Sequence, residues 1–321
     1  MTSDSGHPGD RSLSLTVVIL TYNEARHIAR AIASVAPLKP RVLVVDSGST
    51  DGTGDLARAG GAEVLTHPFV NQAQQFQWAM DQAGITSDWV MRLDADELIE
   101  PDLVAEILAG LPSLPAEVAG VNLRRKHIFM GRWIRHGGRY PLTMLRLWRR
   151  GKARIEQRWM DEHMVLTQGR AVTFRGGFAD HNLHDLTHFT AKHNAYATRE
   201  ALDVLGQRLG LFGDPAGTPV GQASWRTSGK RLLKERLYNR LPFWVSATSY
   251  FLYRYILQLG FLDGREGLIY HGLQGGWYRF LVGARLLELE RAIKPLTDHR
   301  QILETLSRMT GYDLAAVERL P

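Results

Sequence analysis

The sequence, 321 residues long, contains no cysteine. Disulfides, zinc–thiolate and iron–sulfur sites and a thiol nucleophile are thereby excluded, and a reducing compartment is compatible with the composition. Two phosphate-binding signatures are also missing. There is no Gly-x-Gly-x-x-Gly and no Gly-Lys-Ser/Thr loop, so Rossmann dinucleotide binding and P-loop hydrolysis are not expected. The first eleven residues, Met1 to Arg11, are polar and rich in Ser, Gly and Asp. They lack the apolar core of a signal peptide. Residues 1–12 therefore read as a disordered leader, and the domain after them is expected in the cytoplasm. An uninterrupted membrane span is missing too. The apolar stretch from Leu241 to Leu262 approaches spanning length, but Arg254 sits inside it and Ser, Thr and Gln dilute it.

What is present is a chain of 44% hydrophobic residues, enough for one large domain or two smaller ones. Its net charge of +6 and pI of about 9.6 favour anionic partners such as nucleotide phosphates and lipid head groups. Nucleic acid is not an expected partner, because no aromatic-plus-basic readout motif accompanies the charge. Nothing in the sequence sets the oligomeric state.

The stretch from Trp89 to Glu97 organises the rest. It alternates as a short buried strand and ends in Asp94 and Asp96, one residue apart. Residues two apart on a strand share a face. Two such carboxylates suit a hard divalent cation, Mg2+ or Mn2+, which completes its shell with water and substrate phosphates. Such a pair arises by chance about once in a chain of this length, so its weight comes from its place after a strand. Before it, Leu15 to Leu20 reads as a strand buried on both faces, Arg41 to Val45 as a second strand and Glu63 to Thr66 as a third. Helical patterns over about 25–35, after Thr53 and over 71–83 separate them. Alternation at this spacing predicts a parallel α/β sheet, with ligands beyond the carboxyl ends of the strands. The polar clusters Thr21-Tyr22-Asn23-Glu24 and Asp46 through Thr53 lie there. Asp46 can accept hydrogen bonds from a base or ribose. Ser47, Gly48 and Ser49 form a small-residue turn open to a ligand. Thr50 and Asp51 serve equally well as helix caps.

Three ordered segments carry a resemblance: Val-Val-Ile-Leu-Thr-Tyr-Asn-Glu, Val-Val-Asp-Ser-Gly-Ser-Thr-Asp-Gly-Thr and Arg-Leu-Asp-Ala-Asp-Glu. Together they resemble the nucleotide-sugar half of glycosyltransferase family 2, with the GT-A fold. Within it they resemble the branch of bacterial lipopolysaccharide-core and surface-polysaccharide glucosyltransferases. The resemblance covers about residues 13–185. It implies a mostly parallel α/β sheet flanked by helices, a nucleotide-sugar donor, usually a UDP-sugar, and a glycan or lipid-linked acceptor. It implies that Thr21, Asn23, Glu24, Asp46 and Ser49 line the nucleoside pocket. Asp94 would meet the ribose or the metal, and Asp96 would bind the metal. Gln72 and Gln75 resemble a segment facing the nucleotide, although they also suit a polar helix face. His181 resembles a histidine that closes the metal or diphosphate site, although a lone His is as often structural.

The acceptor half is expected over 101–210. Pro101 to Gly110 reads as a helix with proline in its first turn. Gly120 to Lys126 reads as a strand and Val172 to Phe174 as another. A basic span from Arg124 to Arg139, broken by Gly131, Gly137 and Gly138, reads as a loop or hairpin. The inverting reaction needs a carboxylate to take the acceptor hydroxyl's proton. The family places an acid where this chain has Asp161-Glu162-His163. Alignment on the His-Glu form points to Glu162, with Asp161 the alternative. A linker or lid is expected over 211–230 and a helical region over 231–321. Six basic residues between Arg226 and Arg240 precede the aromatic stretch. Helices at an anionic membrane surface, on the inner face of the cell membrane, are one reading of this end. Ordinary packed helices are the other. Two different classes compete with a transferase: a sugar-phosphate nucleotidyltransferase and a non-enzymatic basic binding protein. The first would need a Gly-rich basic loop after the first strand, where Thr21-Tyr22-Asn23-Glu24 stands instead.

Overall fold

The computed structural model describes residues 13–69, 71–156, 162–211 and 242–314. The expected leader, Asp161, most of the expected linker and the basic run before Leu241 lie outside the described residues. The chain forms two compact units. One contains residues 13–133, 139–156 and 162–183; the other contains 134–138, 184–211 and 242–314.

The first unit is an α/β sheet. Its elements in chain order are β1 (Leu15–Thr21), α1 (Ile28–Val35), β2 (Arg41–Asp46), α2 (Thr53–Ala59), β3 (Glu63–Thr66), α3 (Gln72–Gln82) and β4 (Trp89–Arg92). Then come β5 (Glu97–Ile99), α4 (Pro101–Gly110), β6 (Val118–Phe129), β7 (Arg132–Ile134), β8 (Leu142–Arg149), β9 (Ala153–Ile155), β10 (Met164–Leu166) and β11 (Arg170–His181). The strand order is β3-β2-β1-β4-β8-β6-β11-β5, with β7 paired to β6. The four strands β3, β2, β1 and β4 are mutually parallel, as the alternating pattern requires. Strand β8 enters antiparallel between β4 and β6, and β11 runs parallel to β6. This is the mostly parallel, helix-flanked GT-A architecture that the resemblance implied.

Alternation along β1 builds both faces of the core. Val17 and Ile19 pack with Ile28 and Val35 of α1 and Leu103 and Ile107 of α4. Val18 points the other way, into a cluster with Phe76 and Ala79 of α3 and Trp148 of β8. In α1 the buried positions Ile28, Ala31, Ile32 and Val35 follow helical spacing. The basic span expected as a loop or hairpin is a hairpin. Strand β6 runs through Arg124–His127 and turns at Met130 and Gly131, both with positive φ, into β7. Two positive-φ residues between antiparallel strands make the turn that matches strand twist.

The second unit is helical. It contains α5 (Leu186–Leu209), α6 (Phe243–Leu252), α7 (Gly264–Tyr270), α8 (Tyr278–Ile293) and α9 (His299–Thr310). Leu202 and Leu205 of α5 pack with Leu289 and Ile293 of α8 and Leu303 and Leu306 of α9. Asp185 and Asp298 cap α5 and α9 by accepting from His188 N–H and Gln301 N–H. Between α6 and α7 the chain makes a π-helical turn at Tyr253–Leu257 and a 3-10 turn at Gly260–Asp263. Residues 134–138 fasten to these turns. The Gly137 N–H donates to the Gln258 carbonyl at 2.8 Å, and Arg254 Nε donates to the Gly137 carbonyl at 2.7 Å. Among the described residues no helix is long and apolar enough to cross a membrane.

Candidate active site

The site is built where β1, β2 and β4 end. Thr21 and Asp46 are the last residues of β1 and β2 and pair in register. Asp46, 7% exposed, takes four hydrogen bonds. Thr21 Oγ1 donates to Oδ1 at 2.9 Å and Ser49 Oγ at 2.5 Å; the Gly48 and Ser49 N–H groups donate to Oδ2 at 3.1 and 2.8 Å. Those bonds fill the carboxylate's lone-pair directions. They curl the chain at Ser47–Ser49, with Gly48 at φ +89°. Asp46 thus shapes the loop after β2.

A second set of bonds ties the loop after β1 to the loop after β2. Asn23 sits in the left-handed region, φ 55°, which Asn tolerates better than most residues. Its Oδ1 accepts from Thr50 N–H at 2.9 Å, and its own N–H donates to Ser49 Oγ at 2.8 Å. Glu24 N–H donates to Thr53 Oγ1 and Ala25 N–H to Asp51 Oδ2. Asp51 also accepts from the N–H of Thr53, the first residue of α2, while clamping the neighbouring loop; the N-cap of α2 is Gly52. The Glu24 carboxylate turns to the start of α1, where Oε2 lies 2.5 Å from Nδ1 of fully buried His27. His27 Nε2 accepts from Leu183 N–H at 2.8 Å. Nδ1 therefore carries the proton and donates to Glu24. From α3, Gln75 is 1% exposed and bonds the Ser47 hydroxyl with both ends of its amide, at 2.7 and 3.0 Å. It supports the loop from behind.

Beyond β4 the charges are dense. Asp94 Oδ1 lies 3.2 Å from Arg92 Nε, and Oδ2 lies 3.1 Å from Arg146 Nη2. Burial would raise the Asp94 pKa; Arg146 and then Arg92 outweigh it and hold the carboxyl well below its usual range. Glu97, 2% exposed, lies 2.5 Å from the same Arg146 Nη2 and accepts from Asp94 N–H at 3.0 Å. Burial pushes its pKa up to about 7, and the Asp94 charge adds to that, against Arg146. Arg146 thus shares one nitrogen between a charged and a readily protonated carboxyl. Arg92 also reaches towards Glu162, Nη2 to Oε1 3.8 Å. With its amide oriented to satisfy both, Gln72 donates to Glu162 Oε1 at 2.8 Å and accepts from Arg92 Nη2 at 2.6 Å. Gln72, Arg92, Asp94 and Glu162 are therefore one connected group.

Asp96, in the turn before β5, meets His181, the last residue of β11. His181 N–H donates to the Asp96 carbonyl at 2.9 Å, and Asn182 Nδ2 donates to Asp96 Oδ2 at 3.0 Å. Arg30 donates to the His181 carbonyl at 2.7 Å. Burial and then the Arg30 charge lower the His181 pKa, which favours the neutral imidazole. Neutral imidazole is the ligating form. Near the end of β11, Asp180 lies 3.0 Å from His127 Nδ1 and 3.8 Å from Arg125 Nη1.

The structure thus brings Thr21, Asn23, Asp46, Ser49 and Gln75 into one loop cluster. Asp94, Gln72 and Glu162 join through Arg92, and Asp96 sits beside His181. Glu24 is attached to the start of α1. Sequence reasoning gave no site role to Arg92, Glu97 or Arg146. Arg92 carries a signal, since it stands two residues before Asp94 on the same strand face. Arg146 carries none, being 52 residues from Asp94 and set among other basic residues.

Residues 16–181 match the family model described as Glycosyl transferase family 2. A glycosyltransferase of Rickettsia prowazekii (strain Madrid E) is 39% identical over 93 residues, 29% of this chain and 31% of that one. The chain thus spans about a third of the length of the curated relatives it matches first. The lipopolysaccharide core biosynthesis glycosyltransferase LpsC of Rhizobium meliloti is 28% identical over 202 residues, 59% of this chain and 71% of that one. Among solved structures, glucosyl-3-phosphoglycerate synthase of Mycobacterium tuberculosis, in complex with Mn2+, UDP and glucosyl-3-phosphoglycerate, is 25% identical. That likeness covers 36% of this chain and 44% of the other, at a TM-score of 0.30. The family match extends over just over half of the sequence and contains every strand of the site, so the chain belongs to glycosyltransferase family 2.

Proposed function

We propose that the protein moves a sugar from a UDP-sugar to a hydroxyl of a glycan or lipid-linked acceptor, with inversion, in cell-surface polysaccharide synthesis at the cytoplasmic face of the membrane. One observation carries the reading: Glu162 is linked through Gln72 and Arg92 to Asp94, beside Asp96 and His181, at the carboxyl ends of the parallel strands. The similarity to LpsC supports the acceptor class.

The donor set suits a divalent cation. Asp96 offers hard carboxylate oxygen and His181 a neutral imidazole, and phosphate and water supply the rest of a Mg2+ or Mn2+ shell. Asp94, already engaged by two guanidinium groups, fits the ribose better than the metal. When bound, the cation neutralises the charge of the departing nucleoside diphosphate. The other tasks fall to side chains. Asp46 holds the turn against which the nucleoside lies. Glu162 takes the proton of the acceptor hydroxyl as that oxygen bonds to the anomeric carbon. The bond from that carbon to the phosphate oxygen breaks, and its electron pair leaves with the diphosphate. Arg92 and Gln72 fix the direction of the Glu162 carboxylate, since position rather than basicity supplies most of the rate.

The test is transfer from a panel of nucleotide sugars into membrane extract, with and without EDTA. Consumption of a UDP-sugar with a glycosylated product, abolished by EDTA, is expected. Pyrophosphate release from a nucleoside triphosphate and a sugar phosphate would instead identify a nucleotidyltransferase, and EDTA-insensitive transfer would remove the cation from the mechanism.

A further inference from the structure

The second unit carries an apolar tip that the sugar-transfer chemistry does not use. Between α6 and α7, Leu252, Ile256, Leu257, Phe261 and Leu262 are all exposed, Leu257 by 74%. Residues this large rarely stand in water as a contiguous group unless something covers them. From Pro242 to Leu262 the chain has no acidic residue and one basic residue, Arg254. Arg254 is turned inward and is 5% exposed. Its Nε donates to the Gly137 carbonyl, and its guanidinium packs against the rings of Tyr250 and Tyr270, 5.5 and 5.9 Å from their centres. The next acid, Asp263, is buried as well and accepts from His136 N–H and Nδ1 at 2.8 and 2.7 Å. The two charges that would oppose transfer of this tip into an apolar phase are therefore withdrawn from its surface.

We propose that this tip inserts into the interface of an anionic lipid bilayer. The charge of the neighbouring sequence argues for a bilayer over a protein. Six basic residues and one acid, Glu235, occupy the fifteen positions from Arg226 to Arg240, just before α6 in the chain. Arg265, just after the tip, is exposed. An apolar tip whose flanking sequence is basic suits a bilayer of anionic head groups over acyl chains. Four of the five side chains are Leu or Ile, whereas protein hot spots favour Trp, Tyr and Arg; the exposed Tyr253 suits the head-group level, where Tyr is enriched. The wedge is also held in shape from beneath. Gly137 N–H bonds the Gln258 carbonyl, and a Cβ at Gly260 would come within 2.7 Å of the His271 ring. The turn therefore needs no reordering on contact. The inference does not depend on the proposed sugar donor.

The experiment is co-sedimentation of the full chain with vesicles of phosphatidylcholine alone or mixed with phosphatidylglycerol. The wild type is expected to pellet with the mixed vesicles, and less so as salt rises. The double variant I256E/L257E is expected to lose at least about tenfold in partitioning, the scale set by burial of one large aliphatic side chain. L257E alone, at the most exposed position, should lose several-fold, with an unchanged circular dichroism spectrum as the check on folding. Undiminished binding by either variant would overturn the proposal, as would absence of binding by the wild type. A wild-type dimer that L257E converts to a monomer, with no change in vesicle binding, would make the tip a contact between copies and equally overturn it. UDP binding with Mn2+ is measured on the same samples. Its absence beside intact vesicle binding would count against the transferase reading and leave the tip standing.

Discussion

Replacing Arg146 by methionine tests the electrostatics of the site most directly. The side chain is buried, and its Nη2 serves both Asp94 and Glu97. Asp94 keeps Arg92 after the substitution. Glu97, itself buried, keeps the Asp94 N–H at 3.0 Å and the more distant Arg125 at 3.7 Å. Removing one partner from a buried pair costs about 3–5 kcal/mol. For a unit of this size that is a drop of roughly 6–20 °C in Tm. The cost should depend on pH. Glu97 has an ordinary value of 4.5 and about 7 in the fold, so the folded chain keeps a proton that the unfolded chain releases. Stability from that proton is complete below pH 4.5 and is lost as pH rises through 7. Without Arg146 the Glu97 pKa moves higher still, and the variant goes on losing stability where the wild type has levelled. The gap should therefore be about 1–2 kcal/mol near pH 5.5, where a neutral hydrogen bond is the main loss, and grow by up to about 1.4 kcal/mol, to about 3 kcal/mol, at pH 8. Adding Glu97→Gln to the variant should recover about 2–3 kcal/mol at pH 8 by removing the buried charge. Urea unfolding at the two pH values measures all three proteins. A loss below about 1 kcal/mol at pH 8, or a double variant no more stable than the single one, would refute the reasoning.

Asp96→Asn should lower transfer by about a thousandfold or more while preserving the fold, read by product formation beside thermal melting. A fully active, cation-independent variant would move the metal role elsewhere. Glu162→Gln should bind UDP-sugar normally by calorimetry and lose about 100- to 10,000-fold in turnover. Unchanged turnover would transfer the base role to Asp161. Asp46→Ala should free four donors, raise the KM for the donor by about tenfold and leave melting of the helical unit unaffected. Gly176→Ala places a Cβ 2.4 Å from the Leu103 Cα, so it should destabilise the first unit by at least about 1–3 kcal/mol in urea.

The first hundred residues were legible because their signals are local. Strands β1 and β2 are mostly apolar runs and β4 an alternating one, each ending within two residues of polar side chains, and helix α4 has the bounds its proline and glycine predict. Strand β11 was only partly legible. The pattern marks Val172 to Phe174, whereas the strand runs from Arg170 to His181. A register shift at Thr173–Gly177 breaks the alternation. Gly176 is there because the α4 backbone passes too close for a Cβ, a constraint that no neighbouring residue announces. Gln75 was ambiguous for the opposite reason. A polar residue on a helix reads as solvent-facing, and only the Ser47 hydroxyl opposite explains its burial. Arg146 depends on β8 slipping in antiparallel beside β4, and strand order is not written in local periodicity.

That insertion of β8 governs how pieces of this chain could be exchanged. The segment that resembles a nucleotide-binding module ends near residue 100, yet its carboxylates Asp94 and Glu97 are neutralised by a cation delivered from position 146. A chimera joined at residue 100 would seat the donor half of one relative against a foreign strand. It should fold only where that strand also delivers a guanidinium to the junction. Recombination between relatives is thus constrained by a single nitrogen, and the smallest portable block runs from β1 past β8.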